Sequence, residues 1–90
     1  MACVLSYKSV EPKIDPSVFL APNAVVVGDV TLGEGANVWF NTIIRGDMQP
    51  IKIGKYTNVQ DGTTIHVMGD HSTVVGDYVT IGHNAIIHCA

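Results

Sequence analysis

The sequence has few charges, few cysteines and no long apolar run. Five basic residues stand against eight acidic ones, and charged residues make up only 14% of the 90 residues, so no basic surface is available to follow a phosphate backbone. No segment approaches the roughly 20 consecutive apolar residues that a membrane helix requires. The N-terminal segment also lacks a charged leader followed by an apolar core. We therefore expect no nucleic acid partner, no membrane span and a cytoplasmic location.

The two cysteines, Cys3 and Cys89, lie at opposite ends of the chain and form no C-x-x-C pair. This spacing indicates two free thiols rather than a disulfide framework or a zinc knuckle. A chain of this length buries a modest core, so a monomer would be marginally stable and partner subunits are expected.

What the chain does have is an internal period of six. Aliphatic residues recur at this spacing in three runs, with small or β-branched residues four positions after most of them. The aliphatic series comprises Ile14, Leu20, Val26, Leu32, Val38, Ile44, Ile53, Val59, Ile65, Val75, Ile81 and Ile87. A period of six fits neither an amphipathic helix nor a simple alternating strand.

This period predicts an all-β, parallel β-helix with a triangular cross-section. Each hexad supplies one short strand and a corner, three hexads close a coil of 18 residues, and about four coils stack at the spacing of neighbouring strands, about 4.8 Å. Glycine and asparagine residues, including Asn41 and Asn58, suit the tight corners. We predict a lead-in segment over residues 1–13 and the β-helix over residues 14–90.

Two interruptions of the period predict outward loops. Nine residues rather than six separate Ile44 from Ile53, and ten separate Ile65 from Val75. The extra residues fall near Asp47–Pro50 and Met68–His71. Insertions in solenoids collect on the face that carries function.

Counting the insertions gives the vertical register. Ile44 and Ile65 are 21 residues apart, which is one coil of 18 plus three inserted residues. Ile65 and Ile87 are 22 residues apart, which is one coil plus four inserted residues. Arg45, His66 and His88 each follow a core aliphatic residue, so they form one outward column. A separation of about 5 Å suits two imidazoles that share a metal through bonds of about 2.0–2.1 Å.

Asp61 and His83 form a second column on a neighbouring face by the same count. His83 precedes His88 by five residues, which extended chain spreads over about 15 Å. One subunit is therefore not expected to bring all three histidines together. In a trimer with parallel axes, His83 of a neighbour can complete the set in a ring of three equal sites.

In order and spacing, these residues resemble the γ-class carbonic anhydrase family of hexapeptide-repeat proteins. The resemblance covers about residues 12–90. Its densest stretches run from Val38 through Arg-Gly-Asp at 45–47, from Gly54 to His66, and from Ile81 to His88. The resemblance implies that the coils are left-handed, an exception to the usual crossover rule.

The resemblance also implies residue roles. His66, His83 and His88 would bind zinc, with iron or cobalt as alternatives, between the subunits of a homotrimer. The residue implied to orient the metal-bound water or bicarbonate is Gln60, while Asn58 and Asp61 match other polar residues of the same site. Arg45 and Asp47 match a pair that helps to hold the subunit interface. The implied reaction is the reversible hydration of CO2, a lyase activity in which the metal makes its water acidic.

Three features depart from the family pattern. Met48 stands where active members can carry a glutamate tied to proton removal, and residues 68–71 replace an acidic loop. His71 is a candidate replacement for the proton relay. The chain ends two residues after His88, without the C-terminal helix of the family, so we expect an uncapped last coil that is open to end-to-end association.

Two alternative functions remain open at this stage. A hexapeptide-repeat acyltransferase or thioesterase would use histidine as a general base without a metal. A catalytically degenerate metal-binding or scaffold protein would bind metal without hydrating CO2. Metal content and a hydration assay separate the three hypotheses.

Overall fold

The computed structural model describes residues 2–67 and 71–88, which form eleven short β-strands. The strands are β1 (Cys3–Leu5), β2 (Lys13–Ile14), β3 (Phe19–Leu20), β4 (Val25–Leu32), β5 (Asn37–Val38), β6 (Ile43–Ile53), β7 (Asn58–Val59), β8 (Thr64–His66), β9 (Thr73–Val75), β10 (Thr80–Ile81) and β11 (Ile86–His88). Within these two ranges no helix is long and apolar enough to cross a membrane.

All the ladders between these strands are parallel, and they form three faces of a prism. The first face contains β1, the first halves of β4 and β6, β8 and β11. The second contains β2, the second halves of β4 and β6, and β9. The third contains β3, β5, β7 and β10. This is the predicted left-handed parallel β-helix of about four coils.

The core is the axial stack of aliphatic residues that the period of six predicts. Val26, Val38, Ile44, Val59 and Ile65 are fully buried, and each pairs in register with the corresponding residue of the next coil. Residues toward the two ends of the stack, Ile14, Leu20, Val75 and Ile87, pack against this cluster while partly exposed. The hydrophobic contribution of burial is therefore concentrated in the middle coils.

Three buried threonines connect successive coils through their hydroxyl groups. Thr42 donates to the carbonyl oxygen of Gln60 at 3.0 Å, Thr57 to that of Gly76 and Thr63 to that of Gly82. A buried hydroxyl without a partner would cost stability, so these hydrogen bonds allow β-branched polar residues to fill core positions.

The first insertion is a bulge inside one strand rather than a separate loop. β4 and β6 are paired from Val25↔Ile43 to Gly28↔Gly46, and pairing resumes at Val30↔Ile51. Ile51 is fully buried and takes the core position that uninterrupted counting assigns to Met48, a residue that is 62% exposed. Of the second predicted loop, residues 68–70 lie outside the described residues, and β9 resumes the ladder at Thr73↔Ile51.

The corners turn through left-handed backbone. Asn41, predicted as a corner residue, has φ of 61°, and Asn84 has φ of 53°. Tyr56 and Tyr78 also adopt positive φ, of 55° and 57°, at another corner. Their rings stack with centres 5.4 Å apart, and this contact offsets part of the backbone strain. The sequence did not indicate tyrosine at corners because only glycine, asparagine and aspartate adopt this conformation routinely.

Replacing Asn41 by alanine is expected to lower the free energy of unfolding by about 1–2 kcal/mol, measured by urea denaturation. Alanine is strained at positive φ, and the substitution removes the oxygen that accepts from Asn23 Nδ2 at 2.6 Å. Asn41→Gly is the control, since it keeps the conformational freedom and loses only the amide. An alanine variant as stable as the wild type would contradict this account of the corner.

The N-terminal segment adds a strand to the β-helix. Val4 of β1 pairs with Val26 of β4, and Cys3, the free cysteine among the described residues, is exposed. Cys89 lies outside the described residues. The division at residue 13 stays a prediction.

Candidate metal site

The first face carries the predicted column of Arg45, His66 and His88. Arg45 pairs with His66 across β6 and β8, and His66 pairs with His88 across β8 and β11. The two imidazoles stack with ring centres 5.4 Å apart and planes inclined by 7°. The vertical register is thus confirmed, whereas the role of these residues as ligands stays a prediction.

His66 is held by its neighbours on β6. Nη2 of Arg45 lies 2.7 Å from Nε2 of His66. A guanidinium group has only donors, so Nε2 accepts this hydrogen bond and the neutral ring carries its proton on Nδ1. Oδ1 of Asp47 lies 3.4 Å from the same Nε2. This carboxylate oxygen of Asp47 is buried and has no hydrogen-bond partner among the described residues, as expected if Nε2 of His66 bears no proton.

The second predicted column stands at the corner between the third and first faces. Nδ1 of His83 lies 4.0 Å from Oδ1 of Asp61, and the side chains are 68% and 50% exposed. A hydrogen bond of 2.9 Å from the Asn84 amide to the Asp61 carbonyl joins the two turns. His83 therefore projects from the prism, separate from the pair on the first face. In the described part of the chain, no three His, Cys, Asp or Glu side chains lie close enough together to hold a metal ion.

The third face places two amide residues beside this corner. Asn58 was predicted at a tight corner but lies in strand β7, because its neighbour Val59 continues the core. Its Nδ2 donates to Oδ1 of Asn37, which also accepts from Nε1 of Trp39 at 2.7 Å. Oδ1 of Asn58 is buried and unpartnered among the described residues.

Gln60 follows Val59 directly and is partly buried. Because Val38 pairs with Val59, Gln60 lies one coil above Trp39 on the outer surface of the third face. The supporting residues Asn37 and Trp39 were not among the predicted site residues. The 21-residue register would have identified them, since it places Asn37 beneath Asn58.

Two predicted accessory residues lie at the insertions, and of these the Asp47 side chain is only 20% exposed. His71 is exposed and follows the residues that the structure does not describe. Asp47 belongs to the bulge of β6, and its Oδ2 lies 3.5 Å from Nη2 of Arg45. This pair is therefore formed within one chain, and its contribution to a subunit interface stays a prediction.

The separation of the stacked pair, but not the parallel orientation of its rings, agrees with two ligands of a zinc-like ion. Two imidazoles bound through nitrogen at about 2.0–2.1 Å with a tetrahedral angle have ring centres about 5 Å apart. The observed 5.4 Å between the centres of His66 and His88 agrees with this value. His66 and His88 would hold the ion together only after at least one of the two parallel rings has rotated. The carboxylate oxygen of Asp47 that is unpartnered among the described residues also favours a cation near Nε2 of His66.

Comparison with known proteins identifies hexapeptide-repeat relatives. Residues 11–46 match the family described as bacterial transferase hexapeptide (six repeats). A "Probable carbonic anhydrase" of Methanocaldococcus jannaschii is 49% identical over 75 residues, which are 83% of this chain and 47% of that protein. "Gamma carbonic anhydrase 2, mitochondrial" of Arabidopsis thaliana is 43% identical over 83 residues, covering 86% of this chain and 30% of that protein.

A solved structure shows the same fold. The hexapeptide transferase family protein from Anaplasma phagocytophilum superimposes with a TM-score of 0.92 at 41% identity, covering 97% of this chain and 51% of that one. The chain spans about half the length of such relatives or less. From its β-helix, its histidine register and its identity to these relatives over most of its length, the chain belongs to the γ-class carbonic anhydrase family of hexapeptide-repeat proteins.

Proposed function

We propose that this protein catalyses the reversible hydration of CO2 at a metal ion held between two subunits of a homotrimer. His66 and His88 of one subunit would supply two ligands and His83 of the next would supply the third. The observation that carries the proposal is the stacked pair one coil apart, with centres separated by 5.4 Å. A divalent metal held by three neutral imidazoles supplies a water acidic enough to act as a nucleophile near neutral pH.

The corner residues favour a ligand from a second chain. The carboxylate of Asp61 lies 4.0 Å from Nδ1 of His83, so Nε2 is the ring nitrogen farther from this carboxylate and would be the ligand atom. Carboxylates that accept from the second nitrogen commonly orient metal-binding histidines. The exposed position of His83 at a corner allows it to reach a neighbouring first face, and parallel trimer axes would repeat this contact three times.

The side-chain amides of Gln60 and Asn58 on the third face would form hydrogen bonds with the substrate and the product. Gln60 has both a donor and an acceptor, so it can orient bicarbonate as well as the attacking nucleophile. Oδ1 of Asn58, which is buried and unpartnered among the described residues, is an acceptor held in place by the hydrogen bond from Nδ2 to Asn37. We propose zinc, with iron or cobalt as alternatives, because three imidazoles suit all of them. The cytoplasm is the proposed compartment.

The proposal is tested by metal analysis, solution mass and stopped-flow CO2 hydration on the same preparation. One metal per chain, a trimeric mass and hydration faster than in buffer are the expected results. A second candidate, acyl transfer, is favoured by the transferase names of the matching family and of the solved relative. An active acyltransferase free of metal would replace the hydrase proposal. Bound metal without hydration would select a metal-binding or scaffold role.

His71 is proposed as the proton relay because it is exposed and belongs to the second insertion. Replacing His71 by alanine should slow hydration about tenfold at low buffer concentration, since regeneration of the nucleophile requires proton removal. Added imidazole should restore the rate while metal content remains unchanged. A rate at low buffer equal to that of the wild type would rule out this relay.

A further inference from the structure

The side chain of Arg45 occupies the position where a cation is expected. Its Nη2 lies 2.7 Å from Nε2 of His66 and 3.5 Å from Oδ2 of Asp47. The second carboxylate oxygen of Asp47 is buried and unpartnered among the described residues, 3.4 Å from the same Nε2. Nε2 of His66 and the carboxylate of Asp47 therefore both lie against the positively charged guanidinium group of Arg45.

The hydrogen bond and a metal bond cannot coexist on Nε2. A neutral imidazole has one in-plane lone pair, and here the guanidinium donates to it. The guanidinium remains charged throughout the accessible pH range, so it cannot release the nitrogen by losing a proton. The Arg45 side chain is 47% exposed, which leaves room for it to rotate into solvent.

We propose that Arg45 is an internal placeholder cation that holds His66 in the metal-free protein and is displaced when a divalent metal binds. Its hydrogen bond keeps the proton of His66 on Nδ1, so that Nε2 retains the lone pair that a metal would use after Arg45 leaves. The same bond also holds the ring in its stacked orientation, which must change when the metal enters. This inference rests on the proposed role of His66 as a metal ligand.

The first test compares cobalt(II) affinity, followed by visible absorption, in the wild type and Arg45→Met. The variant is expected to bind with a dissociation constant about tenfold lower, because the metal no longer competes with a partly exposed charged hydrogen bond. Lys52→Met removes another exposed cation from the same strand β6 and should change the constant less than about twofold. Equal affinities for Arg45→Met and the wild type in preparations of equal mass would overturn the placeholder role.

The second test needs no variant and so remains valid if Arg45→Met fails to assemble. Zinc is titrated into isotope-labelled wild-type protein while the guanidinium signals of Arg45 and the ring nitrogens of His66 are followed by NMR. Both sets should shift together, and Nε2 of His66 should behave as an acceptor before zinc is added. A response of His66 without Arg45 would overturn this inference alone. No response from either residue would overturn the proposed function as well.

Discussion

Replacing His83 by alanine is expected to remove bound metal and reduce CO2 hydration to the uncatalysed rate, although His83 lies apart from the pair on the first face. The side chain is 68% exposed, and its ionic contact among the described residues is with Asp61 at 4.0 Å, so its loss should barely affect folding. Loss of a ligand should weaken metal binding more than about 100-fold, because the loss of a residue that only orients a ligand already lowers metal affinity about 10–100-fold. Metal content, circular dichroism and stopped-flow hydration measure these effects.

His71→Ala serves as the matched control for metal content, because it removes an exposed histidine that the proposed site does not use as a ligand. Full metal content in His83→Ala would show that the third ligand is another residue. The same substitution also tests whether the site spans two subunits, through a mixing experiment.

His83→Ala and His66→Ala subunits, each inactive alone, should recover activity when mixed and reassembled. In a trimer, each site would take its pair from one chain and its corner histidine from the next. With equal random mixing, about a quarter of the sites would have both His66 and His88 from a His83→Ala subunit and His83 from a His66→Ala subunit. If one chain supplied all three ligands, every site would lack a histidine and no activity would return. The recovered fraction is read as metal content and hydration rate per subunit.

Replacing Gly46 by alanine is expected to destabilise the fold by about 3 kcal/mol and to disturb the metal site with it. A β-carbon at Gly46 would lie 2.4 Å from the carbonyl oxygen of Asp29 and 2.8 Å from its carbon. Both atoms belong to the backbone of β4, so the clash must be relieved by separating the strands at the bulge. Arg45 and Asp47 flank Gly46, and their contacts with His66 depend on this geometry.

Gly82→Ala is the control for this substitution, because a β-carbon at Gly82 would have no atom of the described residues within 4 Å apart from its chain neighbours. Thermal unfolding should show a midpoint lower by roughly 10–20 °C for Gly46→Ala and nearly unchanged for Gly82→Ala. A Gly46→Ala protein as stable as the control would mean that the close approach of β4 and β6 is not required.

Much of the architecture followed from the sequence because a solenoid repeats one simple rule. Aliphatic residues six apart share one axis, so core positions such as Ile44 and Ile65 could be counted without coordinates. The same counting placed His66 beside His88, since parallel ladders keep a constant register between coils. The insertions could be located by their length, but length does not decide whether extra residues form a loop or a bulge.

Tertiary contacts decided what counting leaves open. Asn58 lies in a strand because its neighbour Val59 continues the core. Tyr56 adopts the left-handed corner conformation, and its stacking on Tyr78 stabilises it there. The hydrogen bond from Arg45 to His66 depends on side-chain rotation across neighbouring strands. The sequence by itself determined the period, and with it the fold, the core and the vertical neighbours, because backbone ladders fix register. Only the tertiary structure decided ring orientation, tautomer and the bulge, because these depend on local packing that a repeat does not encode.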